Sequence, residues 1–202
     1  MGEAVSLTVC IPTIPSRRST LSRLLWSLRG QSLDILIADG DGAMGDKLNE
    51  MFAAATTTHV IAVDDDDYVG QLLKMWTGEF YDFVGCRVLW MENGRFAGSV
   101  AHRGDGDTSW TTLDRGVSPK CAVRTSIARA HPFGNHYTAD REWSEAVQAD
   151  VERHAFVDDH LYFYDHWDAH MVGTTPDAGR FDVPQRDVGM WPYDEEAATW
   201  LA

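Results

Sequence analysis

Apolar residues in this chain follow two alternating rhythms from the start. Residues 7–11 (LTVCI) are a short apolar run closed by Pro12-Thr13-Ile14-Pro15, the pattern of a buried strand. Leu21, Leu24, Leu25 and Leu28 then fall at i, i+3, i+4 and i+7, one face of a helix that Ser16 or Ser19 can cap and Gly30 can close. Residues 34–38 (DILIA) return to the strand pattern and lead into Asp39-Gly40-Asp41-Gly42. A second helix is expected over 46–55, with Leu48, Met51, Phe52 and Ala55 on one side. Residues 60–63 (VIAV) are a third buried strand, ending at Asp64.

The first seventy positions therefore read β-α-β-α-β, which implies a parallel sheet with flanking helices and right-handed crossovers. In that topology three loops emerge at one sheet edge: Pro12-Thr13, Asp39-Gly40-Asp41 and the run Asp64 to Asp67. Ligands of open α/β sheets bind at that edge.

Beyond residue 70 the pattern predicts a helix at 69–77, a strand at 83–90 and a hairpin turn at Glu92-Asn93-Gly94-Arg95 with a return strand at 96–100. Residues 102–107 (HRGDGD) read as a polar glycine-rich loop and a candidate mobile flap. A short helix is expected at 123–130, a turn-rich loop at 132–138, and a helix at 140–149 with Trp143, Ala146 and Val147 on its buried face. Residues 156–164 mix strand formers with two aspartates. The stretch from Pro176 is acidic, and its aromatic residues Phe181, Trp191, Tyr193 and Trp200 suggest packing on the body.

Four consecutive carboxylates, Asp64 to Asp67, repel one another unless a cation sits among them. A hard divalent cation with oxygen ligands is the natural solution, set against the plainer reading of a solvated acidic loop.

Composition narrows the partners. The 202-residue chain has a formal net charge of −14, which argues against broad nonspecific nucleic-acid binding but leaves room for a local basic groove. No apolar stretch approaches membrane-spanning length, and residues 1–9 (MGEAVSLTV) lack a secretory pattern. Cys10, Cys86 and Cys121 are too far apart for a zinc site or a disulfide framework, so a cytoplasmic location is expected.

Taken in order, several motifs resemble one family. They are LTVCIPT at 7–13, an arginine-rich helix start, IADG at 37–40, GDKLN at 45–49 and VDDDD at 63–67. Together they are similar to the GT-A-fold glycosyltransferases of the family-2 type. The likeness is clear over 7–70. It resumes more weakly over 120–170, in Ala122-Val123-Arg124, in Thr138-Ala139-Asp140-Arg141-Glu142-Trp143, and in LYFYDH at 161–166.

That resemblance implies an α/β GT-A (Rossmann-like) fold, a mostly parallel sheet flanked by helices with a small acceptor-side lobe. Residues 1–175 would form one catalytic domain, 1–70 the nucleotide-binding half and 71–175 the acceptor half, with 176–202 as an acidic extension. It implies an inverting, metal-dependent transfer of sugar from a nucleotide-sugar, most simply a UDP-sugar, to an acceptor hydroxyl. Asp64 or Asp65 would contact the ribose, and Asp66 would ligate Mn²⁺ or Mg²⁺ bridging the diphosphate; four aspartates in a row leave the register open by one residue. Asp39 would bind the base or ribose, Pro12 and Thr13 would shape the base pocket, and Arg17 or Lys47 would reach the base or phosphates. Asp140 would be the general base, with Glu142 as fallback because Ala139 stands where the family usually has Glu. His166, or second to it His170, would complete the metal or phosphate contacts. Asp140 is also an ordinary helix N-cap, and either histidine alone is an unremarkable surface or core residue.

Compact enzymes of this kind occur in phages and bacteria. Some phage members glycosylate hydroxymethylated DNA bases, and Arg103, Arg115 and Arg124 suit a phosphate backbone; a polysaccharide or small-molecule acceptor stands beside that reading. Two alternatives remain. A nucleotidyltransferase shares the early pattern, but the loop after the first strand has no glycine. A non-catalytic module of the same fold would bind sugar or protein.

Overall fold

The computed structural model describes residues 7–75, 80–93, 95–108 and 113–166. The first strand, β1 (Leu7–Pro12), is buried along its whole length. It pairs in parallel with β2 (Asp34–Ala38) on one side and β3 (His59–Ala62) on the other. Between them lie α1 (Arg18–Ser27) and α2 (Met44–Ala54), so the β-α-β-α-β reading holds. Leu24 and Leu28 of the expected helical stripe are buried, with Leu21 and Leu25 packed against the core. Leu48, Met51, Phe52 and Ala55 are buried together as the spacing requires. Neither Ser16 nor Ser19 caps α1; its N-cap is Arg17, without a side-chain cap bond. Entry is set instead by a 3₁₀ turn, Pro15–Arg17, whose proline fixes the backbone.

The expected helix at 69–77 is absent from its described part. Tyr68–Val69 form a short strand, β4, followed by a single 3₁₀ turn at Leu72–Met75. The tertiary partner overrides local propensity here. Strand β4 pairs antiparallel with β9 (His154–His166), the Tyr68 ring stacks on Phe163 at 4.8 Å, and the Gly70 amide donates to Leu161 O at 3.0 Å.

The hairpin is formed by β5 (Phe83–Glu92) and β6 (Arg95–Gly104), with Asn93 at φ 49° in the turn. The proposed flap at 102–107 is not a free loop. Strand β6 runs on through Gly104, and β7 (Asp114–Gly116) pairs alongside it. His102 is buried, its Nδ1 3.2 Å from Gly116 O. Gly85 makes this close approach possible: a Cβ there would lie 1.6 Å from His102 O. Glycine was thus present for packing, where the sequence suggested mobility.

The expected helix at 123–130 divides into β8 (Ala122–Arg124) and α3 (Thr125–Ala130). The sheet, ordered β2-β1-β3-β8-β5-β6-β7, is parallel over β2-β1-β3 as expected, and β8 adds antiparallel pairing with both β3 and β5. Strand β9 runs parallel along β5. The last helix, α4 (Ala139–Gln148), buries Trp143 and Val147 as expected, but Ala146 is exposed and Ser144 is buried in its place. Trp143 is a core residue, with its ring 5.9 Å from Phe52 and 5.7 Å from Phe133. Cys10, Cys86 and Cys121 are buried and free. No described helix is long and apolar enough to cross a membrane. Trp110, His170 and the stretch from Pro176 lie outside the described residues.

Candidate functional site

Parallel pairing of β1 with β2 and β3 brings the three expected loops together. The Thr13 amide donates to Ala38 O at 3.0 Å and the Val63 amide to Cys10 O at 3.0 Å, carrying the ladder past each strand end. Lys47 then ties two of the loops. It is buried, and its Nζ donates to Thr13 O at 2.7 Å and Gly40 O at 2.5 Å. Two of the three N–H donors of the Lys47 ammonium thus hold backbone carbonyls. Pro12 is the buried last residue of β1, and Asp39 is exposed just past β2.

The aspartate run is a turn closed by the Asp67 amide donating to Asp64 O at 3.1 Å. Its side chains alternate: Asp65 and Asp67 are 2% and 1% exposed, while Asp64 and Asp66 are partly open. Two protein cations divide the four carboxylates. Arg17 reaches Asp65 at 2.9 Å and Asp66 at 3.2 Å, and the Thr13 hydroxyl donates to Asp65 at 2.6 Å. Lys120 reaches Asp64, and Asp67 at 3.3 Å. Asp67 is further held by the Tyr162 hydroxyl at 2.6 Å and the Asp165 amide at 2.9 Å. Arg23 on α1 donates to Asp66 O and pairs with Asp165 at 2.8 Å.

Burial pushes the Asp67 carboxyl up to about 7, against the pull of Lys120. Burial also raises Asp66, reinforced by Asp64 and opposed by Arg17. For Lys120 burial works downward, but Asp64, Tyr162 and Asp67 outweigh it and hold the ammonium charged.

Asp140 is the second residue of α4, and its Oδ1 accepts the Arg141 amide at 2.8 Å. Burial raises its carboxyl; the Arg141 amide and the charge of Lys120 lower it, and Asp64 raises it. Asp140 therefore feels Lys120 and Asp64, two of the charges that act within the aspartate run. Glu142 does not share this environment. It is exposed and held by Thr138 at 2.7 Å and His136 at 3.0 Å, beside a separate cavity of about 220 Å³ between the 131–136 loop and α4. This geometry favours Asp140 over Glu142.

His166 ends β9, opposite Glu92, its ring centre 6.2 Å from that of Tyr164. It follows Asp165, whose amide holds Asp67. Among the described residues no three His, Cys, Asp or Glu side chains cluster to hold a metal. The donor set still fits a metal carried mainly by a diphosphate. Magnesium-type ions keep few protein carboxylates, and Asp66 is a partly open one, backed by a single arginine.

Sequence reasoning missed Lys120, Tyr162, Arg23 and Asp165. Lys120 carried a signal: a lone lysine between Val117 and Val123 in an otherwise apolar and small-residue stretch. Two arginines considered for a nucleic-acid backbone are engaged elsewhere. Arg124 pairs with Asp82 at 2.8 Å and Arg103 with Asp114 at 3.0 Å.

Among solved structures, TarS 1–349 from S. aureus superposes with a TM-score of 0.63 at 18% identity, over 80% of this chain and 60% of that one. The fold is that of the GT-A glycosyltransferases. TarS 1–349 in complex with UDP-GlcNAc matches this GT-A chain with a TM-score of 0.61 at 16% identity, over 80% of this chain and 59% of that one. TarS 1–349 in complex with UDP matches with a TM-score of 0.63 at 15% identity, over 80% and 61%. The chain thus spans about 60% of the length of these TarS 1–349 structures. No family model matches the sequence, and no curated protein matches it.

Proposed function

We propose that this chain is a glycosyltransferase, a compact relative of the family-2 type. It would move a sugar from a UDP-sugar to an acceptor hydroxyl with inversion. The observation behind this reading is that Asp140 and the aspartate turn both feel Lys120 and Asp64, as expected if an acceptor-side base and donor-side carboxylates face one space. The GT-A fold, and its likeness to TarS structures holding UDP-GlcNAc and UDP, supports the choice of donor.

In this mechanism Asp65, fixed by Thr13 and Arg17, binds the nucleoside, with Asp39, Pro12 and Thr13 around the base. Asp66, with His166 as second candidate, would hold Mn²⁺ or Mg²⁺, which when bound offsets charge on the diphosphate. Asp140 takes the proton from the acceptor hydroxyl. That oxygen forms a bond to the anomeric carbon, and the bond from this carbon to the diphosphate oxygen breaks. The electron pair leaves with UDP, so one displacement inverts the centre.

The test is release of UDP from UDP-GlcNAc or UDP-glucose in the presence of Mn²⁺, by slow hydrolysis or with added acceptors. Asp66→Asn should lose metal-dependent UDP binding. Asp140→Asn should lose turnover and keep UDP binding. Release of pyrophosphate would assign the chain to the nucleotidyltransferases instead. Absence of both products together with absence of metal-dependent UDP binding would rule out either enzyme.

A further inference from the structure

The carboxylate run led the sequence argument to a divalent cation, yet the folded chain already holds a cation there. Lys120 follows Pro119, whose carbonyl accepts the Ala62 amide at 2.8 Å, so the backbone before β8 is docked on β3. From that anchor the side chain reaches into the aspartate turn. An ammonium has three N–H donors. Those of Lys120 meet three acceptors: the carboxylate of Asp64, Asp67 Oδ2 at 3.3 Å and the Tyr162 oxygen at 3.0 Å. The nitrogen also lies 4.6 Å from the Tyr162 ring centre and 4.9 Å from that of Tyr164, both favourable for a cation. No N–H is left over for a phosphate oxygen. Arg17 serves the other pair, Asp65 and Asp66, but its side chain is 37% exposed and that of Lys120 only 22%.

We propose that Lys120 is a resident cation of the aspartate turn: it holds Asp64 and Asp67 in place before any donor or divalent ion arrives, and leaves Asp66 to meet the metal. The second half of this statement rests on the proposed transfer reaction; the first does not. Lys120 is a positioning residue. It acts through the aspartates and touches no substrate.

The test uses the full chain with Mn²⁺ alone, without nucleotide or sugar, so its outcome is independent of whether UDP is released in the assay above. Lys120→Met removes one positive charge beside two carboxylates, and calorimetry should show Mn²⁺ binding at least about tenfold tighter than in the parent protein. Lys120→Arg keeps the charge and should show no such gain. A purely structural lysine would give weaker or unchanged Mn²⁺ binding in Lys120→Met, and that result would overturn the proposal. If Lys120→Met does not fold, the parent protein decides by hydrogen exchange. The amides of Asp64 and Asp67, which donate to Tyr162 Oη and Asp64 O, should already be protected without metal. Exchange of these two amides at the rate of an unstructured chain until Mn²⁺ is added would show that the turn waits for a divalent ion, contrary to the proposal.

Discussion

The hydroxyl of Tyr162 donates to the carboxylate of Asp67 across 2.6 Å, joining groups that lie 95 positions apart in the chain. The same oxygen accepts from Lys120 at 3.0 Å and from the Asp64 amide at 3.2 Å. Tyr162→Phe deletes all three contacts and keeps the ring. A buried hydrogen bond to a charged group contributes about 1.5–3 kcal/mol. We expect a loss of that order in urea unfolding and a higher KM for the donor. Unchanged stability would mean that Asp67 is adequately held by Lys120 and the Asp165 amide alone.

Asp140 should set the acid limb of the rate profile. A general base works only when ionised, and burial raises this carboxyl above the ordinary aspartate range. Activity should therefore fall, as pH is lowered, at a value above the usual aspartate value of about 3.9. Asp140→Asn should lower kcat by about 10²–10⁴-fold and leave donor affinity intact. A limb at or below the ordinary value would count against this residue as the base.

Gly45 packs against the loop that leads to the proposed base. It is buried in the first turn of α2, and a Cβ there would stand 2.1 Å from Gly134 O and 2.6 Å from Asn135 Oδ1. In Gly45→Ala the 131–138 loop must retreat, and this loop leads directly into α4 and Asp140. A displacement of about 1 Å at a catalytic group can lower the rate about 100-fold. We expect a kcat loss of that order with UDP affinity retained. Equal loss of UDP affinity would show that the damage had spread to the Thr13 and Gly40 loops.

Legibility in the sequence followed periodicity. The Leu24/Leu28 and Leu48/Met51/Phe52 stripes and the apolar run of β3 fixed the first half of the fold. Because parallel strands must end at one edge, they also place the Pro12-Thr13 loop and the aspartate run on the same side, where Thr13 meets Asp65. What sequence could not give were partners chosen by tertiary structure. Val69 reads as the start of a helix in the sequence, yet it pairs with β9 as a strand. His102 to Gly104 looked like a loop because its burial depends on Gly85, in another strand. Lys120 was missed for the same reason: nothing near position 120 says that Asp64 and Asp67 will be its neighbours.

His102 should make the protein sensitive to acid. Burial lowers its pKa to about 3, whereas an unfolded histidine titrates near 6.5. The folded state thus favours the neutral ring. Its contribution to stability is complete above about pH 6.5 and is lost as pH falls toward 3, by up to about 1.4 kcal/mol per pH unit. His59, also lowered chiefly by burial, acts in the same direction. His102→Gln should flatten the fall by one proton in a plot of unfolding free energy against pH. Superimposable curves for the two proteins would exclude this assignment.

Strand β8, inserted between β3 and β5, begins two residues after Lys120. Completing the sheet and bringing Lys120 to Asp64 and Asp67 therefore depend on the same stretch of chain. Until β8 docks, β3 keeps an open edge and Asp64 and Asp67 lack Lys120, while Arg17 serves only Asp65 and Asp66, so an incompletely folded chain is both sticky and electrostatically loose. A fragment ending at residue 70 should consequently elute as aggregate on a sizing column. The chain before and after residue 70 is interlocked by residues 119–124, in which the Pro119 carbonyl and β8 extend the sheet from β3 and Lys120 binds Asp64 and Asp67.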